Sequence, residues 1–365
     1  MKKLTLLTAM ICLALTACQK NNTPQPETSP AAKSISAAAL AASADCLRKT
    51  PVTDVYVTGN YQASVTVPQS AAYWKNGTLV NLEPAGTASA SAGIAVQGND
   101  VYVVGYLIQD GGSTRAVYWK NGVMHPLNYG CAASFSSFAV DIALDGNDVY
   151  IVGDYTVAGQ KSQAILWKNG APQNLSYNQF GSGAHFVKLI GHDVYVAGYS
   201  ALDNTVFYIA TYWKNGFNHR LENNTGFSFT NGMAVNGSDV YIAGETFPTA
   251  NGINTVVYWK NGIRTNVKVN ASAGGIAIAS NNVYIGGTTV IDATNFLFQA
   301  TYWKNGTPTL LGAIGGSDFG RDIQVVGNDV YLLSTVDGNG TVYYKNGVAV
   351  PIGSANPARI LVVQH

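Results

Sequence analysis

The sequence predicts an all-β fold, a seven-bladed β-propeller made of four-stranded antiparallel blades. Two motifs recur along the chain in strict alternation, one reading Asp-Val-Tyr and the other Trp-Lys-Asn-Gly. Each occurs seven times, if Asn282 is accepted for one Asp and Tyr344 for one Trp. The Trp-Lys-Asn-Gly motifs begin 41 to 48 residues apart, which is the length of one four-stranded blade. An apolar segment at residues 359–363 indicates how the ring closes.

Each repeat is predicted to hold four strands, as the second copy shows. Residues 93–97 and 100–107 form two apolar strands separated by a Gly-Asn turn. The third and fourth strands, residues 115–120 and 123–127, are joined by Asn121-Gly122. Because Asn and Gly tolerate positive φ, this dipeptide predicts a two-residue type I′ hairpin.

Side-chain size predicts which parts of a blade lie inside and outside. One first-strand position is small in four copies, as expected near a crowded axis: Ala95, Ala143, Ala234 and Ala277. The recurring Trp is expected to fill the wider space between the outer parts of neighbouring blades. The first copy lacks a first strand, and residues 359–363 match residues 322–326 of the seventh. We therefore expect the C-terminal strand to complete blade one and leave no open edge. A β-solenoid is the alternative, although its repeats are shorter.

The repeat resembles known bacterial repeats. The run Tyr302-Trp303-Lys304-Asn305-Gly306, followed by Leu311-Gly312, resembles the HAF-type extracellular repeat. The Asn-Asp-Val-Tyr-Val-x-Gly segments are similar to SBBP-type propeller repeats. The resemblance covers residues 54–365 and implies blade architecture, with no catalytic residue to carry over.

The N-terminus has the features of a processing signal. Lys2 and Lys3 precede an apolar stretch that is too short to span a bilayer. Residues 15–18 read Leu-Thr-Ala-Cys and resemble the lipobox of bacterial lipoproteins. The resemblance implies a signal peptide at residues 1–17, lipidation of Cys18 and attachment to a membrane. Gln19, rather than Asp, implies the outer membrane, on its periplasmic side or at the cell surface. The alternative is an ordinary secretory signal.

Residues 18–45 are expected to form the lipidated cysteine and a flexible tether, and residues 46–365 the propeller. The tether is rich in Pro, Asn, Thr and Ala and has no hydrophobic periodicity. Cys46 and Cys131 could pair in an oxidising envelope or remain free thiols.

Composition and motifs exclude several function classes. The formal net charge is +1 and charged residues make up only 11%, so no nucleic-acid partner is expected. The five His residues are scattered, and neither a metal-binding His pair nor a Gly-x-Ser-x-Gly motif occurs. We therefore predict no catalytic residues, no cofactor and no metal site, although paired acids could still form a glycosidase site.

The repeats predict two different faces of the ring. One face carries the recurring Asp and Lys of the turns, which form either a charged docking surface or, as we favour, ordinary turns with Asp bonded to local backbone. The other face carries loops that differ between copies, and their aromatic rings could stack on sugars, anchor a protein or pack between blades. These aromatic residues are Tyr61, Tyr106, Phe135, Phe138, Tyr155, Phe180, Tyr199, Phe207, Tyr208, Phe227, Phe229, Phe247, Phe296, Phe298 and Phe319.

Charged residues interrupt the small-residue pattern of the first strands. We expect them at the channel mouth on the variable face, where they either bind a small polar ligand or pair with one another. The candidate ligand-binding residues are Asp141, His185, Lys188, Arg321, Asp322 and Arg359, with Asp318 nearby.

These observations predict a lipid-anchored envelope protein that binds a glycan or protein, or acts as a scaffold, through the variable face. One alternative is a carbohydrate-active enzyme, a glycoside hydrolase or lyase, with its site at the channel mouth. Another is a purely structural envelope protein.

Overall fold

The computed structural model describes residues 51–365 apart from short gaps at 129–134, 177–180, 202–206, 224–225, 249–252, 296, 313–316, 337–339 and 354–355. The described strands form seven sheets of four antiparallel strands each, which confirms the predicted seven-bladed propeller. Within the described part of the chain, no helix has the length and apolar character needed to cross a membrane.

Blades 1 to 7 follow one another in chain order, and each contains four strands. In blades 1 to 4 these are β1 (Thr53–Tyr61), β2 (Ser70–Lys75), β3 (Thr78–Asn81); β4 (Ser89–Gln97), β5 (Asp100–Ile108), β6 (Thr114–Lys120), β7 (Val123–Pro126); β8 (Phe135–Asp145), β9 (Asp148–Val157), β10 (Gln163–Lys168), β11 (Ala171–Asn174); β12 (Ser182–Ile190), β13 (Asp193–Ala201), β14 (Tyr208–Lys214), β15 (Phe217–Arg220). In blades 5 to 7 they are β16 (Gly226–Asn236), β17 (Asp239–Pro248), β18 (Thr255–Lys260), β19 (Ile263–Val269); β20 (Ala271–Ala279), β21 (Asn282–Asp292), β22 (Leu297–Lys304), β23 (Thr307–Leu310); β24 (Asp318–Val326), β25 (Asp329–Val336), β26 (Gly340–Lys345), β27 (Val348–Gly353), and the last strand is β28 (Asn356–Gln364).

The last strand closes the ring. β28 pairs antiparallel with β1, placing Val362 opposite Val55, and the strand order of blade 1 is β28-β1-β2-β3. The backbone N–H of His365 donates to the carbonyl of Val52 at 2.9 Å. The prediction that the C-terminal strand completes blade one is confirmed.

The Asn-Gly turns have the predicted type I′ geometry. In all seven copies the Asn has φ of 49–52° and the Gly has φ of 79–86°, the positive values that this turn requires. In the first copy, Asn76 Oδ1 also accepts the backbone N–H of Val55 at 2.8 Å. The same bond recurs in the other six blades, so the Asn ties the hairpin end to the next strand inward.

The tryptophans fill the space between blades, as predicted. Trp119 is fully buried among side chains of blades 1 and 2, including Leu82 and Val117. Its indole N–H donates to Glu83 of the preceding blade at 2.8 Å. In blade 7, Tyr344 takes this position and donates its hydroxyl to Asp318 at 2.9 Å.

Each innermost strand contains a β-bulge halfway along its length. The register of pairing with the second strand shifts at the same repeat position in all seven blades. These bulges leave residues of the inner strands unpaired, for example His185 in blade 4 and Arg321 in blade 7. A bulge re-aims the side chains around it, so these bulges decide which residues face the channel.

Candidate functional site

The central channel contains a cavity of about 300 Å³. Four of the six predicted ligand-binding residues line it: Asp141, Lys188, Asp322 and Arg359. They come from blades 3, 4, 7 and 1, which only the closed ring brings together. The structure thus assembles the predicted charged cluster from four separate repeats.

The cavity is not on the face we predicted. Its lining residues lie between the bulge of each inner strand and the turn that carries the recurring Asp, as Lys188 and Gln324 illustrate. Inner strands run from the variable-loop face to this turn face. The prediction of a cluster at the mouth of the variable face is therefore wrong, because these residues follow the bulge along each inner strand and so lie in the turn-face half of the channel.

Both carboxylates hold backbone amides of the next blade. Asp141 Oδ2 accepts the N–H of Val187 in blade 4 at 2.9 Å. Asp322 Oδ2 accepts the N–H of Ile360 on β28 at 3.1 Å, and its Oδ1 accepts the N–H of Ile323 at 2.9 Å. The two acids therefore bridge neighbouring inner strands. Burial raises the pKa of Asp322, while the charges of Arg359 and Lys188 partly oppose that shift.

Arg359 reaches across the channel. It starts in blade 1, and its Nη2 donates to the backbone carbonyl of His185 in blade 4 at 3.4 Å. Its guanidinium lies 4.2 Å from the centre of the Phe186 ring, a cation–π contact. The side chain therefore connects two blades that are far apart in the ring.

Two predicted ligand-binding residues do not line the cavity. The ring of His185 packs edge-on to Tyr199, with centroids 5.4 Å apart, and burial lowers its pKa to about 4. Arg321 is exposed and its Nε donates to Thr335 Oγ1 of its own blade at 3.2 Å. Both residues are the unpaired residues of bulges, which turns them away from the cavity.

The recurring Asp and Lys form pairs on the turn face. Six blades have an Asp–Lys ion pair at 2.7–3.0 Å, from Asp54–Lys75 in blade 1 to Asp329–Lys345 in blade 7. In every blade the lysine also lies 5.0–5.4 Å from the centre of a Tyr ring. The Asp accepts from the turn Asn side chain rather than from local backbone as we expected. In these six blades the two charges are paired within the blade, which favours a structural role.

Aromatic rings form a chain of contacts on the variable-loop face of blades 4 and 5. Tyr199 packs against Tyr208 with centroids 4.8 Å apart. The residue before Tyr208, Phe207, contacts Phe227 of blade 5 with ring centroids 4.9 Å apart. All four are half-buried. We call the set Tyr199, Phe207, Tyr208, Phe227, Phe229 and Phe247 the aromatic belt; its last two rings contact one another at 6.0 Å.

Other predicted aromatic residues pack in pairs across blade boundaries. Tyr106 lies edge-on to Phe138 at 4.9 Å, and Phe298 lies 5.1 Å from Phe319. Phe180 and Phe296, like the side chain of Phe135, fall outside the described part of the structure, as do Cys18, Cys46 and Cys131.

Polar residues that the sequence analysis missed border the aromatic belt. Arg264 pairs with Glu222 at 3.2 Å beside a small pocket lined by Phe227 and Phe247. Asp154 accepts from Ser162 Oγ at 2.9 Å, and burial raises its pKa to about 6. No sequence signal singles out Asp154, because it shares no motif with the other blades.

No group of three or more His, Cys, Asp or Glu able to hold a metal ion occurs among the residues that the structure describes.

Comparisons with solved structures find distant propellers. Puromycin hydrolase superposes with a TM-score of 0.53 at 12% identity, covering 83% of this chain and 52% of that one. The β-propeller domain of the Trilobed protease from Pyrococcus furiosus, described as having an open velcro topology, gives 0.51 at 10% identity and covers 84% and 95%. This chain, by contrast, closes its ring through β28. The chain spans about half the length of puromycin hydrolase. At these identities the likeness shows the fold alone.

No protein-family model matches the chain. No curated protein matches it either. The resemblance to HAF-type and SBBP-type repeats and to bacterial lipoproteins therefore stays a prediction.

Proposed function

We propose that this chain is an envelope binding protein that holds a carbohydrate on the variable-loop face of its propeller, through the aromatic belt. The observation that carries the proposal is the run of half-buried rings across blades 4 and 5. Aromatic rings that are partly exposed can stack on the apolar face of a sugar. The ion pair of Arg264 with Glu222 beside Phe227 and Phe247 offers polar partners for hydroxyl groups.

The enzyme alternative has less support from the geometry. A glycosidase needs one carboxyl group to give a proton and another to act as a base or nucleophile. The two carboxylates that the channel brings together, Asp141 and Asp322, instead hold backbone amides of the next blade. Each carboxylate is thus already bonded to an inter-blade amide, which favours a structural role for both.

The test is binding to a glycan array by the purified protein and by Phe227→Ser. Loss of one ring that stacks on a sugar should weaken binding at least tenfold. Phe217→Ser is the matched control, because Phe217 is 65% exposed and follows the Asn-Gly turn of blade 4 on the opposite face. Thermal unfolding of both variants shows whether the fold is retained.

Equal binding by wild type and Phe227→Ser would refute the assignment of the aromatic belt. If no glycan on the array binds, but the protein captures an envelope protein and this capture requires Phe227, the ligand is a protein rather than a carbohydrate. If neither ligand is found, the structural alternative is favoured.

We also propose that lipidation of Cys18 attaches the protein to the outer membrane. Cys18→Ser should move the protein from the outer-membrane fraction to the soluble fraction, whereas Cys12→Ser should leave it in the membrane fraction. Release by neither variant would refute the anchor.

A further inference from the structure

We propose that the central cavity is a binding site for a small monocarboxylic acid, whose carboxylate is held between Lys188 and Arg359. This site is separate from the aromatic belt and does not depend on the carbohydrate proposal. It follows from the hydrogen-bonding capacity, the charge and the shape of the cavity.

The two cations have more donors than the protein uses. A lysine ammonium has three N–H donors and an arginine guanidinium has five. Among the described residues Lys188 forms no ion pair, although it lines the cavity. Arg359 donates through Nη2 to the carbonyl of His185, and its guanidinium carbon lies 4.2 Å from the centre of the Phe186 ring. Its other side-chain N–H groups form no hydrogen bond with the described residues, which leaves them for a ligand.

The neighbouring acids do not supply the missing acceptors. Asp322 accepts two backbone amides, from Ile323 and Ile360. Asp141 accepts the amide of Val187. These bonds fix the carboxylates against the strand walls. The acids balance the charge of Lys188 and Arg359, but the N–H donors of these two cations still need acceptors inside the cavity. The two oxygens of a ligand carboxylate can provide those acceptors.

The size and lining of the cavity limit the ligand further. About 300 Å³ is the volume of roughly ten water molecules in the liquid, so the ligand is small. The wall formed by blades 5 and 6 is apolar and contains Met233, Ala234, Ile276 and Ala277. This wall suits a short hydrocarbon or aromatic group. A second anionic group would approach Asp141 or Asp322, which disfavours dianions.

Calorimetric titration with acetate, butyrate and benzoate tests the proposal, with phosphate and methylammonium as comparison ligands. Wild type should bind the carboxylates, with butyrate and benzoate tighter than acetate because of the apolar wall. Lys188→Met should weaken binding about tenfold or more, because it removes a charged donor, and Lys188→Arg should restore most of it. Lys214→Met is the matched control: Lys214 is in the same blade but pairs with Asp193 on the turn face at 2.8 Å.

A second variant keeps the test decisive if Lys188→Met fails to fold. Ala234→Leu fills the apolar wall without touching the charged residues, and should weaken benzoate more than acetate. Three results would each overturn the proposal: no carboxylate binding by wild type up to ~10 mM, unchanged affinity in folded Lys188→Met and Ala234→Leu, or tighter binding of phosphate or methylammonium than of benzoate.

Discussion

Replacing Asp322 with alanine should weaken the closure of the ring. Its two carboxylate oxygens accept the N–H groups of Ile323 at 2.9 Å and Ile360 at 3.1 Å. Ile360 is on β28, so the second bond joins blade 7 to the strand that completes blade 1. A buried amide left without a partner costs about 1–3 kcal/mol. Burial raises the pKa of Asp322, so the cost of burying the charged carboxylate offsets part of the gain. We expect a net loss of about 2–3 kcal/mol at pH 7.

Urea unfolding followed by tryptophan fluorescence measures this loss, and hydrogen exchange locates it. The amide of Ile360 should exchange faster in the variant than in wild type. Arg321→Ala is the matched control, because Arg321 is the preceding residue, is exposed and donates to Thr335 alone at 3.2 Å. The control should change stability by no more than about 0.5 kcal/mol. If Asp322→Ala matches the control in both measurements, the hydrogen bonds of Asp322 are not what holds β28 in place.

Two further predictions concern buried polar groups. Burial raises the pKa of Asp154 to about 6, so the folded chain binds this proton more tightly than the unfolded chain, and the contribution of Asp154 to stability should fall from pH 4 to pH 6. Asp154→Asn keeps an acceptor for Ser162 and should be more stable than wild type at pH 7, by up to about 3 kcal/mol; an advantage that does not change between pH 4 and pH 7 in urea titrations would contradict this. Trp119→Phe should cost about 1.5–3 kcal/mol more than Trp303→Phe, because Trp119 donates to Glu83 at 2.8 Å whereas the buried Nε1 of Trp303 has no partner among the described residues. Equal losses in calorimetric melting would refute the role of that bond.

The architecture could be predicted from the sequence because it depends on local, repeated chemistry. Asn121-Gly122 predicts a type I′ turn wherever it occurs, since only a few residue types adopt positive φ at low cost. Seven such turns at blade-length intervals fix the number of blades. Residues 359–363 repeat the pattern of an inner strand, so even the pairing of β28 with β1 could be predicted without coordinates.

The composition of the candidate site could be predicted only in part. Asp141, Lys188, Asp322 and Arg359 were predicted because they interrupt the small-residue pattern of the inner strands. The structure brings all four to one cavity. Proximity in sequence added His185 and Arg321, and neither lines the cavity. The sequence analysis also missed Asp154 on β9 and Arg264 on β19, because neither residue belongs to a recurring motif.

The sequence by itself determined the repeat, the turns and the closure of the ring. The tertiary structure decided which side chains face the channel, because one unpaired residue in a strand reverses the alternation of side chains beyond it. The bulges at His185 and Arg321 leave no sequence signature, yet they place Lys188 and Asp322 in the cavity and turn their neighbours away. Only the closed ring shows that Asp141 and Asp322 hold amides of the next blade, since hydrogen-bond partners far apart in the chain are set by packing rather than by local sequence.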